Sequence, residues 1–112
     1  MKLDEILKET LSAAQEFNLR THFVDRTKNT INLRIVINME IFIQIYANEK
    51  KDKLNCALLF HDHRIYGHDK EGGEYHLHPF DNPDSHIFTF KVKPIREFVI
   101  ESMFFLENNK LI

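Results

Sequence analysis

The sequence predicts an α+β domain: an antiparallel, curved, mostly meandering sheet of about five to seven strands, flanked by an N-terminal and a C-terminal helix. Three observations carry this. The hydrophobic period is helical near the start, two residues through the middle, and helical again near the end. The strands follow one another directly, without the alternating strand–helix–strand units of a parallel sheet. The chain has 112 residues, the size of one domain. At that length folding buries roughly two-thirds of the unfolded chain's surface, so residues 1–112 are expected to form one core without staples.

Leu3, Ile6, Leu7, Leu11, Ala14 and Phe17 lie at helical spacing and define one apolar stripe, with Asp4 and Glu5 in the first turn where they complement the helix dipole. Asn18 is the expected stop. A short strand around His22–Asp25 follows. Ile31, Leu33, Ile35 and Ile37 then alternate with Asn32, Arg34, Val36 and Asn38, and Ile41, Ile43, Ile45 and Ala47 alternate with Phe42, Gln44, Tyr46 and Asn48. These are two half-buried strands joined as a hairpin through Asn38-Met39-Glu40. Asn48–Lys53 is a charged turn. Leu54–Phe60 is apolar on both sides and therefore central.

His61-Asp62-His63 reads as a hairpin tip leading into Arg64–Gly67, which leaves its two histidines solvated. Asp69-Lys70-Glu71-Gly72-Gly73 reads as a flexible loop. Tyr75–Phe80 is extended, because Pro79 keeps His78 out of helical geometry. Asp81–Ser85 turns the chain, His86–Val92 alternates as a last strand, and Pro94 opens a helix whose buried stripe is Ile95, Phe98, Val99, Met103, Phe105 and Leu106. Both helices are expected on one face of the sheet.

Composition excludes several classes. Apolar residues make up 43% of the chain and charged residues 29%, which is globular rather than disordered. The net charge of −2 disfavours a protein that coats DNA, yet it leaves room for a compact site acting on RNA. The single cysteine, Cys56, sits in an apolar run and is expected to be a buried, inert thiol in a reducing compartment. The first residues lack the apolar stretch of a signal peptide and no segment approaches a membrane span, so a cytoplasmic protein without membrane partners is expected. There is no Gly-rich phosphate loop, nucleophile elbow, cysteine pair or DNA-reading helix.

Six of the seven histidines fall between His61 and His86. His76 and His78 are the sharpest pair, since residues two apart in a strand point to one face, and the Asp81–Ser85 turn can bring His86 back to them. Two chemistries use such a set. Zinc accepts three histidines and keeps a position open for water. A metal-free ribonuclease uses one group as base on the 2′-hydroxyl and another as acid on the leaving oxygen, with Arg64, Lys91 or Lys93 supplying positive charge to the transition state. Tyr66 and Tyr75 offer rings for nucleobases, although ten phenylalanines in a chain without tryptophan mostly mean core. The bland alternative is a set of surface histidines satisfied by Asp69, Asp81 or Asp84.

The stretch Arg64–His86 resembles the signature region of the TumE-like toxins of prokaryotic toxin–antitoxin pairs. The resemblance lies in Arg64 on a strand, Asp69 just after it, and a histidine-rich segment with His76, His78, Pro83 and the closing His86. It covers about a fifth of the chain. Lys70 follows Asp69 where the family usually has asparagine, and the closing histidine pair is reduced to Asp84-Ser85-His86. The resemblance implies a growth-inhibiting, RNA-cleaving toxin neutralised by a small DNA-binding antitoxin encoded beside it.

The combined expectation is a metal-independent ribonuclease without cofactor. His78 and His86 are its acid and base, His76 and Asp69 its support, and Arg64 its cation. Tyr66, Tyr75, Lys91 and Lys93 contact the substrate. The histidines are expected to be exposed, so that their removal costs activity and little stability. The rival expectation is a non-catalytic module in which His76, His78 and His86 hold zinc or line an interface with a partner; either reading leaves room for a homodimer.

Overall fold

A computed structural model describes residues 1–91 and 93–112. Among them are two helices and seven strands: α1 (Leu3–Glu16), β1 (Arg20–Arg26), β2 (Thr30–Val36), β3 (Ile41–Asn48), β4 (Lys53–Phe60), β5 (His63–Glu71), β6 (Glu74–His78), β7 (Ile87–Thr89) and α2 (Ile95–Asn108). The strands form one open antiparallel meander in the order of the chain, from β1 at one edge to β7 at the other. The expected α+β architecture is therefore the one observed. Among the described residues no helix is long and apolar enough to cross a membrane.

The period-two segments fold as their alternation dictates. Ile31, Leu33 and Ile35 of β2, Ile41, Ile43, Ile45 and Ala47 of β3, and Leu54, Cys56 and Leu58 of β4 all point to one side and are buried. Their register keeps them together across the strands, with Leu33 opposite Ile45 and Ile45 opposite Cys56. Both helices cover this side, and Phe98, Val99, Ile95 and Leu106 of α2 complete the core with Leu3, Ile6, Ala13 and Ala14 of α1. Arg96 of α2 grips Glu16 of α1 through two hydrogen bonds of 2.9 and 2.8 Å.

Each helix ends on a left-handed residue. Asn18 and Lys110 have φ near +56°, and Leu19 N–H and Leu111 N–H reach back to the carbonyls of Ala14 and Leu106 at 2.8 Å. This is the closure that satisfies a helix's last carbonyls.

Four expectations need correction. Leu11 is exposed rather than buried, and Thr10 and Ala13 take its place, because small side chains let α1 approach the sheet. Asp69, Lys70 and Glu71 are strand and not loop. β5 runs to Glu71, paired on both sides by β4 and β6, and only Gly72-Gly73 turns, with Gly72 at φ +64°. The last strand is confined to Ile87–Thr89, leaving His86 before it; Val92, expected at its end, lies outside the described residues. Pro94 caps α2 from outside instead of forming its first residue.

The hairpin at His61-Asp62 is as expected. Phe60 pairs with His63, and the two intervening residues both have positive φ, +50° and +63°, as a two-residue turn of this hand requires. Just beyond it β5 carries one extra residue: Tyr66 pairs with Leu58 but Arg64 pairs with Leu59, so Ile65 is a bulge. The bulge turns Arg64 to the side of the sheet that the helices leave open.

Candidate functional site

The open side of the sheet is organised in cross-strand rows. One row runs Gln44, Ala57, Gly67, His78, and the next runs Tyr46, Asn55, Asp69, His76, Phe88. Arg64 joins them through the bulge. A Cβ placed on Gly67 would stand 3.1 Å from Arg64 Cδ and 3.5 Å from His78 Cβ, so the missing side chain is what lets the arginine lie along β5. Arg64, Asp69, His76 and His78 thus share one face.

His78 is the buried member, at 1% exposure. Its Nδ1 lies 3.1 Å from the Pro83 carbonyl and its Nε2 3.1 Å from Asp69 Oδ2. A carbonyl only accepts, so Nδ1 must donate to it. Nε2 then faces a carboxylate with no proton of its own if the ring is neutral. Both hydrogen bonds are made only when the His78–Asp69 pair holds one proton more than a neutral imidazole and an ionised carboxyl. The buried pair is fully satisfied in that state.

The chain between Pro79 and His86 folds back over His78, and this returns His86 to the cluster. The His86 ring sits edge-to-face against His78 at 4.4 Å between centroids and 5.8 Å from His76, and His86 itself is exposed. His76 is half-buried. Its ring meets Phe88 edge-on at 4.8 Å, and its Nε2 lies 3.5 Å from Glu74 Oε2 without forming a hydrogen bond.

Two sequence expectations fail on this geometry. His78 is not a solvent-exposed group, because its ring is enclosed and both nitrogens are engaged. The substrate-contact set also divides. Tyr75 lies on the helix side of β6, opposite to His76 and His78. Tyr66 is buried at 3%, stacked on Phe98 at 5.0 Å and edge-on to Phe105 at 4.9 Å, so it is a core ring. Lys93 is tied to Glu101 through contacts of 2.6 Å, and Lys91 lies beside the same helix-side cleft. None of these four shares a face with the histidines.

The zinc arrangement does not fit either. Among the described residues no group of three or more histidine, cysteine, aspartate or glutamate side chains is placed to hold a metal ion. His78 can offer a lone pair only by giving up Pro83 or Asp69.

Two arrangements of residues escaped the sequence analysis. The first is a polar network under the sheet: His68 Nδ1 accepts from Lys93 N–H at 3.1 Å, and Tyr66 donates to Glu101 Oε2 at 2.5 Å. Burial, reinforced by the Lys93 charge, pushes the His68 imidazole below its ordinary range. Burial pushes the Tyr66 phenol up, and its hydrogen bond to Glu101 adds to this. The second group is Gln44, Tyr46, Asn55 and Ala57, which with Arg64 and Asp69 line a cavity of about 250 Å³ on the open side. Their alternation with buried aliphatic residues was visible, but their adjacency to Arg64 and Asp69 depends on strand register. Comparison with protein-family models, with curated proteins and with solved structures finds no match to this chain.

Proposed function

We propose that the protein is a metal-independent ribonuclease, the toxin of a toxin–antitoxin pair, acting at the open side of β5 and β6. The observation that carries the proposal is the convergence of Arg64, Asp69, His76, His78 and His86, with the exposed His86 ring set against the buried His78. The resemblance of Arg64–His86 to the TumE-like signature supports the same reading and supplies the partner, a small DNA-binding antitoxin.

In this reading His86 and His76 are the proton-transferring pair. One removes the proton from the ribose 2′-hydroxyl as its oxygen bonds to phosphorus. The other gives a proton to the departing 5′-oxygen as its bond to phosphorus breaks, leaving a 2′,3′-cyclic phosphate. Arg64 stabilises the extra negative charge on the phosphoryl oxygens. His78 is a positioning residue that holds the His86 ring, and Asp69 with the Pro83 carbonyl fixes His78.

The test is expression without the antitoxin, paired with cleavage of RNA by purified protein. Wild type should arrest growth and cut RNA in the presence of a chelator. His86→Ala should lower cleavage by about 10²–10⁴-fold, the usual contribution of one acid–base group. His61→Ala, at the hairpin tip, should behave as wild type. Harmless expression together with intact RNA would sink the proposal. The second reading, a non-catalytic module that binds a protein partner, would then stand on the exposed apolar residues at the β7 edge, where Phe88 is 71% and Phe90 103% exposed.

A further inference from the structure

The cavity on the open side has a cause in the rows of the sheet. Ala57 and Gly67 are cross-strand neighbours, and they are small among longer side chains. Ala57 forms a floor, with Gln44 and Tyr46 on one side, Asn55 and Asp69 along another, and Arg64, which lies over Gly67, at the end. The cavity measures about 250 Å³ and opens beside the His78–Asp69 pair.

Its wall is chemically one-sided. Asn55 and Asp69 stand directly opposite each other across β4 and β5. Asn55 Oδ1 is buried and has no hydrogen-bond partner. A buried acceptor left unpaired is costly, and a donor held in the cavity can relieve it. Asp69 is an acceptor already engaged on one oxygen by His78. Gln44 is held in place by the hydrogen bond from its Nε2 to Asn32 Oδ1 at 3.2 Å. At the far end Arg64 offers several N–H donors and a positive charge.

The geometry points to a nucleobase subsite for guanine. A ligand for this cavity needs two adjacent N–H donors on one edge, to meet Asn55 and Asp69, and an anion at the other end, to meet Arg64. Guanine presents N1–H beside its N2 amino group. Adenine and cytosine each place an acceptor next to their amino group, and uracil has one N–H between two carbonyls. The unstacked base of a single strand exposes this edge, the usual way in which RNA sequence is read. The inference rests on the proposed ribonuclease activity for its biological meaning, since it makes the guanine the residue next to the cut bond. The binding itself is independent of cleavage.

The test uses wild-type, isotope-labelled protein titrated with the four nucleoside 3′-monophosphates, which offer no phosphodiester to cut. 3′-GMP should bind saturably, shift the amide signals of Tyr46, Asn55, Ala57 and Asp69, and bind at least tenfold more tightly than the other three. Asn55→Leu and Ala57→Met, the second of which fills the floor without removing a polar group, should each lower that affinity at least tenfold while their melting curves stay cooperative. Equal binding of all four nucleotides, or shifts confined to another surface, would overturn the guanine site. RNA cleavage by wild type without preference for guanine would do the same while leaving the ribonuclease proposal standing. Tight 3′-GMP binding by a protein that leaves RNA intact would remove the ribonuclease proposal and keep the site.

Discussion

The two sides of this sheet are built from the same strands, read at alternate residues, and they obey different rules. On the helix side the sequence of β2 to β4 repeats one kind of residue, and all ten aliphatic or thiol side chains named above are at most 6% exposed. Their energy comes from removal from water, which any well-sized apolar residue supplies. On the open side the residues are amides, a phenol, a guanidinium, a carboxyl and imidazoles, and their value depends on which neighbour each one meets. Hydrophobic burial tolerates small errors of placement. A row of hydrogen-bonding groups does not.

The difference is sharpest where stability is measured. Leu58→Ala, deep on the helix side, should cost about 2–5 kcal/mol in chemical denaturation, the range for emptying a packed core site. Tyr46→Ala, at a half-exposed position on the open side, should cost far less. Similar losses for both would mean that the open side is covered by something in the native protein.

His78→Ala is the exception that breaks the simple contrast, because His78 is an open-side residue with a core residue's burial. It should cost about 2–4 kcal/mol, combining a cavity with an orphaned Asp69 carboxyl. A loss below about 0.5 kcal/mol, the value for an exposed substitution, would show that the Pro79–His86 segment does not enclose the ring.

Asp69 separates packing from hydrogen bonding. Asp69→Ala leaves His78 Nε2 buried and unpaired and should cost roughly 1–3 kcal/mol. Asp69→Asn can donate from its amide to an unprotonated Nε2 while Nδ1 still donates to Pro83, so it should recover most of that loss. Equal destabilisation by both variants would argue against the pairing.

The smallest effect expected is in pH dependence, and it belongs to the network under the sheet. The folded protein disfavours the charged form of His68, so the unfolded chain takes up a proton first. Stability should therefore decline as pH falls through the ordinary imidazole value of 6.5. Burial pushes the Glu101 carboxyl up, but hydrogen bonds from Lys93 and Tyr66 and the Lys93 charge outweigh it and hold it below the ordinary 4.5. Its contribution should be lost as pH falls below that value. Between about pH 7.5 and pH 5.5, acid should lower the melting temperature of wild type relative to that of His68→Gln. An unchanged slope in the variant would assign the dependence to other histidines.

How much of this was legible in the sequence follows the same division. The helix-side pattern of β2 and β3 was plain, since their alternating Ile and Leu residues state their own side, whereas β4 read as apolar on both. β5 was half missed because its helix-side residues, Tyr66, His68 and Lys70, are polar, and Asp69-Lys70-Glu71 has the composition of a loop. What makes it a strand is pairing on both edges, a tertiary fact. The cluster of His76, His78 and His86 could be anticipated from strand parity and a turn. The burial of His78 could not, since it depends on how the following segment folds back. Gln44, Tyr46 and Asn55 were seen as a polar alternation, but their neighbours across the sheet are fixed by register, which composition does not carry.

The bulge at Ile65 makes the position of Arg64 a matter of counting. In a strand the side that a residue occupies is set by whether its number is odd or even relative to its paired neighbours, and one additional residue reverses that parity for everything before it. Arg64 and Tyr66, two residues apart, therefore face opposite sides of the sheet, whatever Ile65 itself contributes to packing. Removing that single residue would make Arg64 the direct neighbour of Tyr66 and leave it opposite Leu59, so the guanidinium would keep its side of the sheet and the strand would lose only the local bend of the bulge. A substitution at Ile65 tests a side chain; a deletion there tests whether Arg64 needs the bend or only its partner.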